Sequence, residues 1–234
     1  MTSILPRLPG NFLDYYLSQG YYRMGQNLFT CQFLPLETGP HTVHWLRLAV
    51  AHAAYGSKQR RLFRLNQPFE VAVKPFRLTP EHTELYTRYY LALDFDTNPS
   101  LADLLLDGAT QTVFDTYAIE VRAGQQLIAA GIFDHGADSL AGIVNYYDPA
   151  YRKHSLGKYL MLLKLEHARR QRLAYYYPGY LVHGYPKFDY KLFACEAATE
   201  VYDNATSHWL PFSWEEVNRQ AAALTRQELG EASE

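Results

Sequence analysis

YYDPAYRKHSLGKYLMLLKLEHARRQRLAYYYPGYLVHGYPKFDYK runs from Tyr146 to Lys191, and its punctuation decides how the rest of the chain is read. A strand ends in Tyr146-Tyr147-Asp148-Pro149, where an aspartate before a proline favours a turn. A polar loop then leads to Ser155-Leu156-Gly157, which opens an amphipathic helix reaching about Arg170. A short strand, Leu173 to Tyr177, follows and opens into a segment rich in Gly, Tyr, Pro and Lys. The first N–H groups of a helix have no partner within it and favour an anion. Gly157 lets a ligand approach that backbone closely, although the same tripeptide also serves as an ordinary helix start.

Working upstream, three strands are expected at Thr116 to Val121, Gln126 to Phe133 and Ser139 to Tyr147. Gly124 and Gly136 mark the turns between them, so they read as an antiparallel meander. Thr79-Pro80-Glu81 starts a helix that continues to about Leu93, and a strand from Phe69 to Phe76 precedes it. Asp94 to Gly108 is a long mixed loop with a helical turn at Leu101 to Leu106, the kind of segment that forms an entrance or lid. Further back, Gly56-Ser57 opens a helix on which Arg60, Arg61 and Arg64 share one side. That side is either a solvated cationic face or a phosphate-contacting element. Nearest the start, Asn11 is placed to cap a helix from Phe12 to Ser18, closed by Gly20. Strands Leu28 to Leu36 and Thr42 to His52 form a hairpin-like pair around Gly39-Pro40. Downstream of the central stretch come Leu192 to Tyr202 and a terminal helix from about Ser213, with Glu216 at capping-box spacing.

This order specifies an α+β fold: a mixed sheet flanked by helices, with a glycine at the start of the central helix. It looks like the acyltransferase fold of the GCN5-related N-acetyltransferases, with a small N-terminal α/β region added. The expected division is residues 1–68, containing the basic segment 57–66; an acyltransferase-like catalytic domain at 69–212; and a C-terminal helix and tail at 213–234.

A net charge of −2 argues against general coating of nucleic acid, yet the charge is uneven. Lys58, Arg60, Arg61 and Arg64 are clustered, and Arg152 to Arg172 holds a basic run against a single acid, Glu166. The two cysteines, Cys31 and Cys195, lie far apart and have no metal or redox spacing. No signal peptide or membrane-length apolar run is visible, so a cytoplasmic protein is expected. The 20 tyrosines offer ring area together with a hydroxyl, which suits both pockets and core edges.

Taken jointly, Tyr146-Tyr147-Asp148-Pro149, Ser155-Leu156-Gly157 with Tyr159, Tyr175-Tyr176-Tyr177, Gly179-Tyr180, and Pro186-Lys187 with Tyr190-Lys191 resemble the arginyl- and leucyl-tRNA–protein transferases. These put an amino acid from aminoacyl-tRNA onto the N-terminus of a protein. The resemblance covers residues 114–196. Ser57-Lys58-Gln59-Arg60-Arg61 with Arg64 and Asn66 is similar to that family's basic segment, and Leu28-Phe29 sits where the family leads into its cysteine region. One departure is plain: the family's N-terminal cysteine cluster is missing, and His41 and His44 do not restore it. No metal or iron–sulfur site is therefore expected, and no cofactor beyond aminoacyl-tRNA as donor substrate.

The resemblance implies transfer of Arg or Leu onto proteins with N-terminal Asp or Glu, within the N-degron pathway of protein degradation. An α-amine attacks the ester of aminoacyl-tRNA through a tetrahedral oxyanion, which positioning and electrostatic stabilisation accelerate. A base to take the amine's proton helps, and Asp148 and His183 are the candidates by chemistry; Asp148 also suits a turn and His183 a packed or capping position. Lys187, Lys191 and Arg152 are candidate cations for the acidic side chain of the acceptor. Tyr146, Tyr147, Tyr177, Tyr180 and Tyr190 would line the pocket beside Ser155, Leu156 and Gly157, stacking the terminal adenosine or the aminoacyl group. Lys58, Arg60, Arg61, Arg64, Arg169 and Arg170 would reach tRNA phosphates; Arg169 and Arg170 also suit a helix C-terminus. Two other readings stay open: an acyl-coenzyme A-dependent N-acyltransferase, against which the sparse glycines speak, and a non-catalytic binder of tRNA or degron peptides.

Overall fold

A computed structural model of the chain describes residues 7–94, 97–228 and 230. Helix α1 (Gly10–Ser18) leads into a hairpin of β1 (Tyr22–Met24) and β2 (Asn27–Phe29), then β3 (Phe33–Leu36) and β4 (Gly39–Ala49). Next come α2 (Ser57–Asn66), β5 (Glu70–Pro75), α3 (Pro80–Leu91) and α4 (Leu101–Leu106). The meander is β6 (Thr116–Ala123), β7 (Gln126–His135) and β8 (Ser139–Tyr147), and α5 (Leu156–Arg170) leads to β9 (Tyr175–Val182). Strands β10 (Thr199–Asp203) and β11 (His208–Pro211) precede α6 (Trp214–Glu228).

One nine-stranded sheet runs β11-β10-β4-β9-β8-β7-β6-β5, with β3 paired to β4 off this path. All pairings are antiparallel except β8 with β9, so the sheet is mixed, flanked by helices, and of the expected α+β class. Strand β4 lies between β10 and β9, so a strand from the first 68 residues sits inside the sheet. Helix α5 packs over β7, β8 and β9, with Leu156, Leu160, Leu162 and Leu165 fully buried among Ile119, Ile128, Phe133 and Leu140. On the other face α3 buries Leu85 and Tyr86 with Leu101, Ile132 and Tyr146. Burying each such side chain contributes about 1.5–3 kcal/mol.

The helix starts follow local chemistry. The Thr79 hydroxyl accepts the His82 N–H at 3.3 Å, and Pro80 occupies the first turn, where no partner for an N–H is needed. At the last helix the Ser213 hydroxyl accepts from Glu216 N at 3.1 Å, whereas the Glu216 carboxylate turns to Arg219 and Gln220. Three expectations need correction. Helix α1 begins at Gly10 behind Pro9 with no side-chain cap, so Asn11 lies within it; Leu13 and Leu17 are buried while Phe12 is 54% exposed. The strand expected from Leu28 to Leu36 is two strands, because the chain first makes the β1–β2 hairpin around Gly25 at φ +59. Strand β9 begins at Tyr175 rather than Leu173 and continues through Pro178-Gly179 to Val182.

The β1–β2 hairpin is pinned from below. Arg23 is 4% exposed, and its Nη1 donates to both carboxylate oxygens of Asp134 on β7 at 2.8 and 3.0 Å. Nη2 reaches the Leu105 carbonyl at 2.5 Å and Nε the Gly25 carbonyl at 2.8 Å. Thr116 Oγ1 donates to Asp134 at 2.6 Å, so the buried ion pair is well supplied with hydrogen bonds.

Candidate active site

Strands β8 and β9 pair over only three steps, Ser139–Tyr175, Leu140–Tyr176 and Ala141–Tyr177, and then part. Each strand carries an irregularity at the point of separation. Against β7, Ile132 pairs with Val144 and Phe133 with Gly142, leaving Ile143 as an extra residue. Against β4, Gly179 pairs with Leu46 and Tyr176 with Leu48, so two residues of β9 face one of β4. Such bulges bend a strand and re-aim its side chains. A cavity of about 270 Å³ opens there. It is lined by Gly142 to Asn145 of β8, Pro178 to Tyr180 around the β9 bulge, Met161 and Lys164 of α5, and Tyr86 and Tyr89 of α3. Tyr22, Leu93, Thr97, Tyr176, Phe188, Tyr190 and Lys191 complete the wall.

The bulge at Ile143 decides which β8 side chains look into this space. An inserted residue flips the alternation, so Asn145 shares the α5 side with Gly142, and Tyr146 turns toward α3. Asn145 Oδ1 accepts Lys164 Nζ at 2.9 Å, while its Nδ2 donates to the Gly157 carbonyl in the first turn of α5 at 3.4 Å. Lys164 is 1% exposed, and its Nζ also donates to the Ile132 carbonyl at 2.7 Å. Glycines make room for it: a Cβ on Gly131 would stand 3.1 Å from Lys164 Cε, and one on Gly142 would stand 3.3 Å from Nζ. Burial pushes the Lys164 amine down to about 7, against the attraction of Asp134.

Across the cavity stands a second buried lysine. Lys191 is 9% exposed, and its Nζ lies over the rings of Phe188, Tyr180 and Tyr190 at 4.3, 4.9 and 5.2 Å. Gly179, at φ +109, admits its stem: a Cβ there would meet Lys191 Cε at 3.2 Å. Among the described residues Lys191 Nζ has no hydrogen-bond acceptor. Burial lowers its pKa to about 7, opposed by Asp189, while the ring faces favour the charged form.

Of the residues singled out in the sequence, Tyr180, Tyr190 and Lys191 line this cavity. Tyr147 lies one step away, its ring tilted 58° to that of Tyr89 at 5.2 Å and against Gly157. Tyr146 is fully buried beneath, bonded to His82 Nδ1 at 2.5 Å, and Tyr177 faces Trp209 in a separate core. Asp148 does not line the cavity: it accepts from Ala150 N at 3.0 Å and pairs with Arg88 at 3.3 Å, a turn-forming role. His183 follows β9 and meets Asn218 of α6 at 3.0 Å, also away from the cavity. Lys187 pairs with Asp94 at 2.7 Å, and Arg152 is exposed on the turn before α5. Ser155 adopts φ +49 and makes no capping bond, while Leu156 is fully buried.

Sequence reasoning passed over Lys164, Asn145, Tyr22 and Tyr176. A signal existed for Lys164, which falls on the same helical stripe as the buried Leu160, Met161, Leu165 and Ala168. A lysine on an apolar stripe is seldom there for solubility.

The basic segments meet elsewhere. Lys58, Arg60, Arg61 and Arg64 are exposed on α2, which packs on α5. Arg60 and Arg169 both donate to backbone carbonyls of the 53–55 segment, and Arg169 lies over the Tyr55 ring at 4.6 Å. Arg170 is exposed beside them, on the rim of a groove lined by Tyr55, Phe63, Tyr117 and Tyr159. Among the described residues, no group of three or more His, Cys, Asp or Glu side chains is placed to hold a metal, and no helix is long and apolar enough to cross a membrane.

Residues 81–194 match the family described as arginine-tRNA-protein transferase, C terminus. The aspartate/glutamate leucyltransferase of Hahella chejuensis is 32% identical over 188 residues, covering 76% of this chain and 77% of that protein. The one from Nitrosococcus oceani is 30% identical over 152 residues, 62% of each chain. Among solved structures, L-PGS from Bacillus licheniformis is similar at a TM-score of 0.43 with 12% identity, over 72% of this chain and 49% of that one. FemX is similar at a TM-score of 0.43 with 10% identity, over 76% and 61%. The matched span holds α3, the meander, α5 and every element that walls the cavity except Tyr22, and with the Hahella relative it shows that this chain belongs to the aminoacyl-tRNA–protein transferase family.

Proposed function

We propose that this protein transfers leucine from leucyl-tRNA to the α-amine of polypeptides beginning with Asp or Glu, within the N-degron pathway. The observation that carries the acceptor preference is Lys191, a buried lysine in the cavity with three rings around it and no hydrogen-bond acceptor among the described residues. A carboxylate entering the cavity supplies that acceptor, and the charge-assisted bond is shorter and stronger than a neutral one. It also raises the Lys191 pKa, since an opposite charge favours the protonated form. Neighbouring Tyr89, Tyr180 and Tyr190 offer ring faces for the aminoacyl group or terminal adenosine. The exposed cations of α2, with Arg170, provide a phosphate-binding face. The similarity to the aspartate/glutamate leucyltransferases of Hahella chejuensis and Nitrosococcus oceani supports leucine as donor and Asp or Glu as acceptor.

The test is transfer of labelled leucine or arginine from charged tRNA to otherwise identical peptides beginning with Asp, Glu, Asn or Ala, with acetyl-coenzyme A as a competing donor. Leucine is expected on the Asp and Glu peptides only. Transfer indifferent to the first residue, or acetylation without aminoacyl transfer, overturns the reading.

A further inference from the structure

We propose that Lys164 is the proton acceptor of this site: its neutral amine takes the proton from the attacking α-amine and returns it to the ribose oxygen that leaves. The inference rests on the transfer function proposed above and adds the group that moves the proton.

The geometry carries the assignment. A neutral lysine nitrogen has two N–H donors and one lone pair. Both directions that call for a donor are occupied, by the Ile132 carbonyl at 2.7 Å and Asn145 Oδ1 at 2.9 Å. Both partners are acceptors, so the lone pair takes the remaining tetrahedral direction. Lys164 lines the cavity, and the absence of a side chain on Gly142 keeps that position clear, since a Cβ there would crowd Nζ at 3.3 Å and Tyr176 Oη at 3.2 Å. A hydrogen-bonded base in such a place needs no reorientation before it acts. Its surroundings keep the neutral form populated near pH 7, because burial outweighs the attraction of Asp134, which Arg23 and Thr116 already satisfy. Tyr22, Tyr176 and Tyr190 face the same space, their hydroxyls pushed above the usual phenol range by burial, and Lys191 stands across it. The two bases named from the sequence, Asp148 and His183, hold other partners outside the cavity.

The step balances. The α-amine nitrogen attacks the ester carbonyl carbon, and the carbonyl π pair moves onto oxygen as the N–C bond forms. One N–H proton passes to Lys164 Nζ. When the tetrahedral oxyanion collapses, the C–O bond to the terminal ribose breaks. The Lys164 ammonium then gives its proton to that oxygen, leaving the amine neutral for the next turnover.

Two measurements test this. Cyanate, which carbamylates neutral amines, is applied to the wild-type protein across pH 6 to 9, and each lysine is followed by peptide mass spectrometry. Lys164 is expected to react ahead of the surface lysines at pH 7, its reaction rising with a midpoint near neutrality. Separately, leucyl transfer to an Asp-peptide is measured for Lys164→Met and Lys164→Ala, with folding checked by thermal unfolding. Lys164→Met is expected to lose about 10²- to 10⁴-fold in kcat with KM for the peptide within a few fold. For Lys164→Ala, small primary amines are added and only leucyl-peptide is counted, which excludes their own aminolysis products. A base role predicts rescue that climbs with the basicity of the added amine. An unlabelled Lys164, or rescue flat in amine basicity, overturns the assignment while the transfer function stands. A labelled Lys164 in a wild type that transfers nothing overturns the function, and the catalytic role with it.

Discussion

Replacing Lys164 by methionine is expected to stabilise the protein more at neutral than at alkaline pH. Methionine has a similar length, fills the space over Gly131 and Gly142, and does not titrate. In the folded state burial holds Lys164 at about 7 instead of 10.5. The unfolded chain therefore binds more protons between those values, and wild-type stability rises with pH across that window. The contribution is fully present above pH 10.5 and is lost as pH falls toward 7. At 1.4 kcal/mol per unit, the penalty on the wild type is about 4 kcal/mol at pH 7 and about 1 kcal/mol at pH 9.5. The variant lacks this penalty but leaves the Ile132 carbonyl and Asn145 Oδ1 without their donor, a cost that does not change with pH. Urea unfolding of both proteins, followed by tryptophan fluorescence, gives the difference at each pH. Titration of the tyrosines is common to both and cancels. The stability of the variant relative to wild type should fall by about 3 kcal/mol between pH 7 and 9.5. A difference that stays constant within about 1 kcal/mol would refute the reasoning, since Lys164 would then titrate alike in both states.

Other perturbations separate the remaining parts of the site. Lys191→Met should raise KM for an Asp-peptide about 10- to 100-fold, the worth of one charge-assisted hydrogen bond, and leave an Asn-peptide unaffected; equal losses on both peptides would exclude carboxylate recognition by Lys191. Asp134→Ala strands Arg23 as an unpaired buried cation and should cost about 3–5 kcal/mol in urea unfolding. Adding Arg23→Met should recover most of that loss, and a double variant no better than the single one would contradict the pairing argument. Asp148→Asn weakens an ion pair with Arg88 and a turn outside the cavity, so kcat should stay within a few fold of wild type, and a loss of about 10²-fold would return Asp148 to the chemistry.

The site has a common plan in its charges. Two lysines, Lys164 and Lys191, stand in one cavity where burial works against the charge of both, and each is held by a different device. Lys164 has carbonyl-type acceptors that suit an amine in either protonation state, whereas Lys191 has ring faces that reward only the cation. Environments that differ in this way suit the two proposed roles, base and anion receptor, at one pH. Gly142 and Gly179 line the cavity and Gly131 makes room for the Lys164 stem, while Gly157 makes room for Tyr147 beside it. The anion site expected at the start of α5 drew attention only to Gly157, whereas the other three act by admitting Lys164 and Lys191.

Most of the fold was legible because its signals are local. Thr79-Pro80 starts α3, Gly124 at φ +59 turns β6 into β7, and the apolar stripe of α5 needs no partner to be recognised. Strand β10 gains its meaning from β4, some 150 residues away in the chain, and no local period announces such pairing; β11 joins only through its hairpin with β10. The site depends on the same non-local information. Tyr146 and Tyr147 were both natural pocket residues until the extra residue at Ile143 reversed the alternation of β8, burying Tyr146 and bringing Asn145 to Lys164. Pro178-Gly179 read as the end of a strand, because proline cannot donate to a ladder. In the fold it occupies a bulge against β4 on the side where β8 has already departed, so β9 continues to Val182 and loses little by the missing N–H. Both bulges sit where β8 and β9 separate, and the separation is the cavity. A bulge is defined only against its partner strand, so the feature that opens this candidate site is also the one a single sequence leaves unstated.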